Sequence, residues 1–179
     1  MKKQSGTRRE HPRTVAGGAH GLSPIAVLHI DDDPNDTALL QAATHRAKAR
    51  FELQNAADAD QAMAYLEGRT MYANREKYPL PALILLDLKM PRATGFEVLR
   101  WIRGQPFLKH IPVVVLSGSE LQDDVHKAYS LGADSYLVKP LGFDALVELV
   151  KSLSSIWLSS PLFGRVRNPP TTLPSQAEL

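Results

Sequence analysis

The residues Leu83-Ile84-Leu85-Leu86-Asp87-Leu88-Lys89-Met90-Pro91 decide the reading of this chain. Four apolar residues run into an aspartate, and a proline follows four positions later. A short apolar run bounded by turn signals reads as a buried strand of a parallel sheet. Asp87 then stands where that strand ends. In open α/β sheets, ligands bind at the carboxyl ends of the strands.

Working outward, the same pattern recurs. Ile25 to Ile30 reads as a first strand, ending in Asp31-Asp32-Asp33-Pro34. Pro34 stops it, and Asn35 or Asp36 can cap a helix reaching about Ala47, with Leu39, Ala42 and Ala43 inward. Phe51 to Asn55 alternates like a short edge strand. Asp58 is a plausible cap for a helix with Ala59, Ala62, Met63 and Leu66 on one face. Residues 68–79 have no clear period and read as a surface loop or a helix extension. Ala82 to Asp87 is the third strand. Thr94 can cap a third helix with Phe96, Leu99 and Ile102 on its core side, ended by Gly104 and Pro106. Ile111 to Leu116 is a β-branched strand ending in Ser117. A fourth helix turns Leu121, Val125, Ala128 and Leu131 inward. Ser135 to Val138 is the fifth strand, ending in Lys139-Pro140. The last helix places Phe143, Leu146, Val147, Val150, Leu153 and Trp157 at helical spacing. Five strands alternating with helices predict an α/β fold, a parallel sheet with helices on both faces.

The chain has 179 residues and is 44% hydrophobic, which suits one domain with tails. It has no cysteine, so disulfides and thiolate metal sites are excluded. No apolar run approaches the ~18 residues of a membrane span. A cytoplasmic protein is expected. The charge of +2 is unevenly placed. Residues 1–24 carry five basic residues against Glu10, while residues 25–159 carry 14 basic and 17 acidic. The expected organisation is a disordered basic tail over 1–24, a domain over 25–158 and a flexible C-terminal tail over 159–179. The basic tail lacks aromatic stacking residues, so nucleic-acid binding is not expected.

The strand ends carry the chemistry. Asp31, Asp32, Asp87, Ser117 and Lys139 come from four strands, yet a parallel sheet puts them on one rim. Crowded carboxylates repel, and oxygen ligands suit Mg²⁺. Asp87 is the candidate nucleophile toward a phosphoryl group. Asp32 and Asp87 would bind the metal directly and Asp31 directly or through water. The backbone carbonyl of Lys89 could add one more oxygen. Lys139 would pair with phosphoryl oxygens, and Ser117 would hydrogen-bond another. Asp33 and Asp36 read as turn and cap residues.

These residues resemble the receiver domain of two-component response regulators. The resemblance rests on Ile30 to Pro34, on Leu86 to Pro91 followed by Gly95 to Leu99, on Pro112 to Ser117, and on Gly132 to Pro140. It implies a flavodoxin-like (βα)5 doubly wound sheet of strand order 2-1-3-4-5 and a cis Lys139–Pro140 bond. It implies that Asp87 accepts a phosphoryl group from a phosphohistidine on a sensor histidine kinase. Ser117 and Tyr136 would form the switch: Ser117 is drawn in and Tyr136 fills the space beside strand four. The alternative for Tyr136 is a fixed half-buried aromatic. Gly118 leaves room beside the site, and Lys89 and Ser119 lie where hydrolysis is tuned.

Residues 68–79 and Trp157 are similar to the single-domain, phytochrome-associated subgroup. That likeness implies a phytochrome-type kinase and a homodimer through helix four, strand five and helix five. Trp157 and Phe163 read as core or tail packing, or as part of a dimer surface. The rival function is a Mg²⁺-dependent phosphatase or phosphotransferase acting on small molecules through Asp87. Phosphatases of the haloacid dehalogenase type carry a second acid two residues after the nucleophile, where this chain has Lys89. A turnover enzyme is therefore not expected.

Overall fold

The computed structural model describes residues 25–91 and 93–157. The expected tails, Leu158 and Phe163 lie outside the described residues. Strand β1 (Ile25–Ile30), helix α1 (Pro34–Arg46), β2 (Phe51–Ala56), α2 (Ala59–Glu67), β3 (Leu83–Leu86), α3 (Gly95–Gly104), β4 (Val113–Ser117), α4 (Gln122–Ser130), β5 (Ser135–Val138) and α5 (Phe143–Ile156) follow in order. The sheet runs β2-β1-β3-β4-β5 with every pair parallel. This is the flavodoxin-like order.

The sheet divides the core into two layers. Side chains alternate along a strand, so Ile84 and Leu86 of β3 face one way and Leu83 and Leu85 the other. The first pair joins Leu28, Ile30, Ala62, Leu66, Leu99 and Ile102 under α2, α3 and α4. The second joins Val27, Leu40, Ala43, Val147, Val150 and Leu153 under α1 and α5. Burial on both faces is why β3 reads as an unbroken apolar run. Trp157 packs against the second layer, which agrees with its reading as core.

Several local expectations are corrected. The cap of α1 is Asp33, whose carboxylate accepts from the Asn35 amide at 2.8 Å, and Pro34 is the first helical residue. A proline fits there because that amide has no helical partner anyway. The buried stripe of α1 is Leu40 and Ala43, with Leu39 and Ala42 exposed. Leu39 and Leu40 lie about 100° apart on a helix, and both stripes share Ala43, so the pattern alone favoured neither. Leu121 is 64% exposed because it precedes the first turn of α4 in extended backbone. Phe143, in the first turn of α5, is also exposed. The Lys139–Pro140 bond is trans, since no described peptide bond is cis; trans is the lower-energy isomer of an X–Pro bond.

Residues 68–79 are not a plain surface loop. Thr70–Ala73 form a 3₁₀ turn that buries Tyr72. The Tyr65, Tyr72 and Tyr78 rings meet with centroids 5.1–6.1 Å apart. Arg75 ties the segment down. Its Nη1 donates to the carbonyls of Tyr65 at 2.8 Å and Tyr78 at 3.2 Å, and its Nη2 to that of Leu66 at 2.7 Å. The last carbonyls of a helix lack intrahelical donors, so one guanidinium closes the end of α2 and anchors the loop. Replacing Arg75 by Ala takes this donor from the Leu66 and Tyr78 carbonyls, while the Tyr65 carbonyl keeps the Gly68 amide. The expected loss is about 1–3 kcal/mol of unfolding free energy, measured by urea denaturation followed by circular dichroism.

Candidate functional site

Register brings the rim together. Ile30 pairs with Leu86, so Asp31 and Asp87 follow at matching points, and the Asp87 amide donates to the Ile30 carbonyl at 2.9 Å. Ser117 pairs with Val138, so Lys139 emerges beside it; the Lys139 amide donates to the Ser117 carbonyl at 2.9 Å. Gly95 lets α3 approach from below. A Cβ there would fall inside the contact radius of the Asp87 carbonyl oxygen, so only a glycine allows this approach.

One carboxylate oxygen each from Asp31, Asp32 and Asp87 lie within 4.8 Å of one another. Lys139 Nζ sits 2.7 Å from Asp31 Oδ2, 2.6 Å from Asp36 Oδ2 and 3.7 Å from Asp87 Oδ1. Asp31 is 1% exposed and Asp87 4% exposed. Asp31 spends both oxygens: Oδ1 accepts from the Asp33 amide at 3.0 Å, and Oδ2 faces Lys139 and His29 Nε2 at 3.3 Å. The Lys89 amide donates to Asp87 Oδ2 at 3.0 Å.

These partners set the charges. Burial pushes Asp31 up, but hydrogen bonds from His29, Lys139 and the Asp33 amide outweigh it and hold its carboxyl at about 2. Asp87 comes out the other way. Burial raises it, and the Asp31 charge adds to that, beyond what Lys139, Ser117 and the Lys89 amide offset. Burial alone would lower Lys139; its bonds to Asp31 and Asp36 hold it above the ordinary lysine range, so it stays charged.

A second chain of contacts leads away from the rim. Ser117 is fully buried, and the Ser119 amide donates toward its Oγ at 3.4 Å. The Ser119 hydroxyl bonds the Asp124 carboxylate at the start of α4. Tyr136 on β5 donates its hydroxyl to the Ser119 carbonyl at 2.8 Å, while its ring packs against the α2–α4 layer. Beside Gly118 there is open space.

The structure thus brings Asp31, Asp32, Asp87 and Lys139 into one cluster, with Ser117 at its edge and Tyr136 joined to it through Ser119. The sequence reading missed three members. Asp36, read as a cap, lies on Lys139. Asp124 grips Ser119. His29 was read only as strand, yet a buried imidazole inside an apolar run needs a polar partner; that was the available signal for it. The donor set fits a divalent cation. The three acids offer oxygen, and Asp87 in particular carries a raised pKa that a nearby cation would relieve.

The chain matches the response regulator receiver domain over residues 27–151. Response regulator Rcp1 of Synechocystis sp. (strain ATCC 27184 / PCC 6803 / Kazusa) is 38% identical over 137 residues, covering 76% of this chain and 91% of that protein. A structure of its Mn²⁺-bound form superposes with a TM-score of 0.67 over 76% of this chain and 96% of that one. The phosphorylated cyanobacterial phytochrome response regulator RcpA is 38% identical with a TM-score of 0.69, over 76% of this chain and 95% of that one. RPA3017, a response regulator in red light signaling of R. palustris, is 36% identical with a TM-score of 0.72, over 75% and 94%. This chain belongs to the response regulator receiver family, and its homologues include stand-alone phytochrome response regulators. The general role of such a domain is phosphorylation-dependent signalling, with a histidine kinase as partner. Among the described residues, no helix is long and apolar enough to cross a membrane.

The opposite shifts of Asp31 and Asp87 give opposite pH signatures. Asp31 keeps its charge to lower pH in the native state than in the unfolded chain, so the stability it contributes is lost as pH falls toward 2. Asp87 holds its proton to higher pH when folded, so its contribution falls as pH rises through the carboxylate range. In chelator at pH 7, Asp87→Asn is therefore expected to melt above the wild type. The gain should disappear below about pH 4, where the Asp87 carboxyl is protonated in the folded and the unfolded chain alike. Thermal melts across pH check this.

Proposed function

We propose that this chain is a stand-alone receiver that takes a phosphoryl group on Asp87 from the phosphohistidine of a sensor kinase and passes that state to a protein partner or a second copy. The observation that carries the reading is the placement of Asp87 within the acidic cluster, 3.7 Å from the Lys139 ammonium. A carboxylate oxygen of Asp87 attacks phosphorus. The P–N bond to the kinase imidazole breaks, the imidazole leaves, and an acyl phosphate forms. Lys139 Nζ and Ser117 Oγ are the side-chain donors for the phosphoryl oxygens. Hydrolysis later returns the carboxylate and inorganic phosphate.

Asp31, Asp32, Asp87 and the backbone carbonyl of Lys89 would hold Mg²⁺. When bound, the cation supplies charge neutralisation for the phosphoryl oxygens. The Mn²⁺-bound form of Rcp1 supports a divalent metal, and the rim's all-oxygen donors favour a hard one. The relatives RcpA and RPA3017 support a phytochrome-type kinase as donor, and the cytoplasm is where such a kinase would be met.

Output would pass along Ser117, Ser119 and Tyr136 to α4 and β5. Tyr129, Val138, Leu141 and Phe143 are exposed apolar residues on α4, β5 and the start of α5, which supports that face as a homodimer surface. The small-molecule phosphatase reading lacks a second acid at Lys89, and no observation here favours it.

The test is phosphotransfer. An autophosphorylated phytochrome-type kinase should pass labelled phosphate to the wild type in Mg²⁺. Asp87→Asn and excess EDTA should each abolish the acid-labile label, and label retained in the variant would sink the assignment. Separately, sedimentation with Mg²⁺ and beryllofluoride is expected to show a shift from monomer to dimer that Asp87→Asn does not make. NMR at Tyr136 and Ser117 should report the switch in the same titration.

A further inference from the structure

Asp36 has no assigned part in the phosphoryl chemistry, yet it makes the shortest contact of the lysine. Lys139 Nζ lies 2.6 Å from Asp36 Oδ2 and 2.7 Å from Asp31 Oδ2, against 3.7 Å from Asp87 Oδ1. Two of its three donors are thus directed at carboxylates other than the phosphoacceptor. Asp36 comes from the first turn of α1 and Lys139 from the end of β5, so the bond crosses from one element to another 103 residues away. Asp36 does not need the lysine for its own sake: its side chain is 37% exposed, and the start of a helix already favours an anion. The lysine, at 22% exposed, is the more confined partner.

We propose that Asp36 is a positioning residue for Lys139, holding the ammonium toward α1 and so setting how strongly the rim prefers a cation over an anion. The proposal rests on the reading of Asp87 as the phosphoacceptor. With Asp36 counted, three carboxylates lie within 4 Å of one ammonium. The extra negative charge attracts a divalent cation. It also engages the lysine donor that phosphoryl oxygens on Asp87 need, and it repels their charge. Removing the charge at position 36 acts on the two ligands in opposite directions. A plain surface ion pair would only shift stability slightly.

The experiment measures two affinities in the full chain by isothermal titration calorimetry: Mg²⁺ alone, and beryllofluoride at saturating Mg²⁺. Asp36→Asn is expected to weaken Mg²⁺ about fivefold and to tighten beryllofluoride about fivefold, the effect of one unit charge at short range in a partly solvated site. Asp36→Glu, which keeps the charge, should return both values toward wild type. Asp33→Asn is the comparison. It removes a charge from the same helix end, keeps a capping side chain and does not touch Lys139, so it should leave beryllofluoride affinity unchanged. Circular dichroism melts confirm that each variant is folded. The proposal is overturned if Asp36→Asn moves both affinities in one direction, if neither moves, or if Asp33→Asn reproduces the split. If the wild type binds no beryllofluoride, it is the Asp87 reading that fails.

Discussion

The Lys139 ammonium is the group on which the rim depends. Asp31 and Asp87 are almost wholly buried, and two carboxylates that close in a dry setting would share a proton unless a cation stood between them. Lys139 reaches both, and together with His29 and the Asp33 amide it keeps Asp31 ionised at ordinary pH. A lysine can serve here because its stem is flexible and its head compact. It enters from β5, two strands away from β3, and the sheet register delivers it. The Lys139 amide bonds Ser117, and Ser117 and Val138 are paired, so the lysine backbone cannot drift along the strand without breaking the ladder.

The rest of the architecture can be understood as fixing that meeting point. A parallel sheet needs helical crossovers, and these cover both faces, so β3 and β4 are fully buried. Buried strands place their ends reproducibly, and a one-residue slip would move each side chain to the opposite face. Gly95 then permits α3 to close under Asp87. The acidic cluster therefore sits at the ends of fully buried strands, while the contacts leading outward from Ser117 run through a short loop.

Much of this was legible in the sequence, and what was not has definite physical causes. β3 could be read because burial on both faces removes polar residues from it, and Asp87 stands out against that run. The other rim residues followed from one rule, that parallel strands end on the same edge. Asp36 could not be separated from an ordinary cap, because the spacing from Asp31 says nothing about a lysine 103 positions on. The segment 68–79 defeated pattern reading because its order comes from a three-ring contact and one guanidinium, neither of which is periodic. The face of α1 was missed because few apolar residues lie along it and two stripes fit them. In each case a tertiary partner decided between options that were locally equal.

The hydrogen bonds that lead from Ser117 toward α4 and β5 run through a few atoms. Ser117 and Ser119 are separated by a single glycine, and the same three residues carry the hydroxyl beside Asp87, the carbonyl under Tyr136 and the hydroxyl bonded to Asp124. Gly118 adds no side chain to brace the loop. In the proposed switch, a displacement of Ser117 would reach α4 through Asp124 and β5 through Tyr136 together. A ligand shifts such an arrangement only by binding one form better than another. In the proposed reading, the differential contacts available to a phosphoryl group would be those of Ser117 and Lys139. Lys139 is already held by two carboxylates, so in that reading the energy the group could direct into the loop would be what remains after drawing Lys139 from Asp31 and Asp36. The electrostatics of the rim and the strength of the proposed output would in that sense be one quantity, set where α1 and β5 meet.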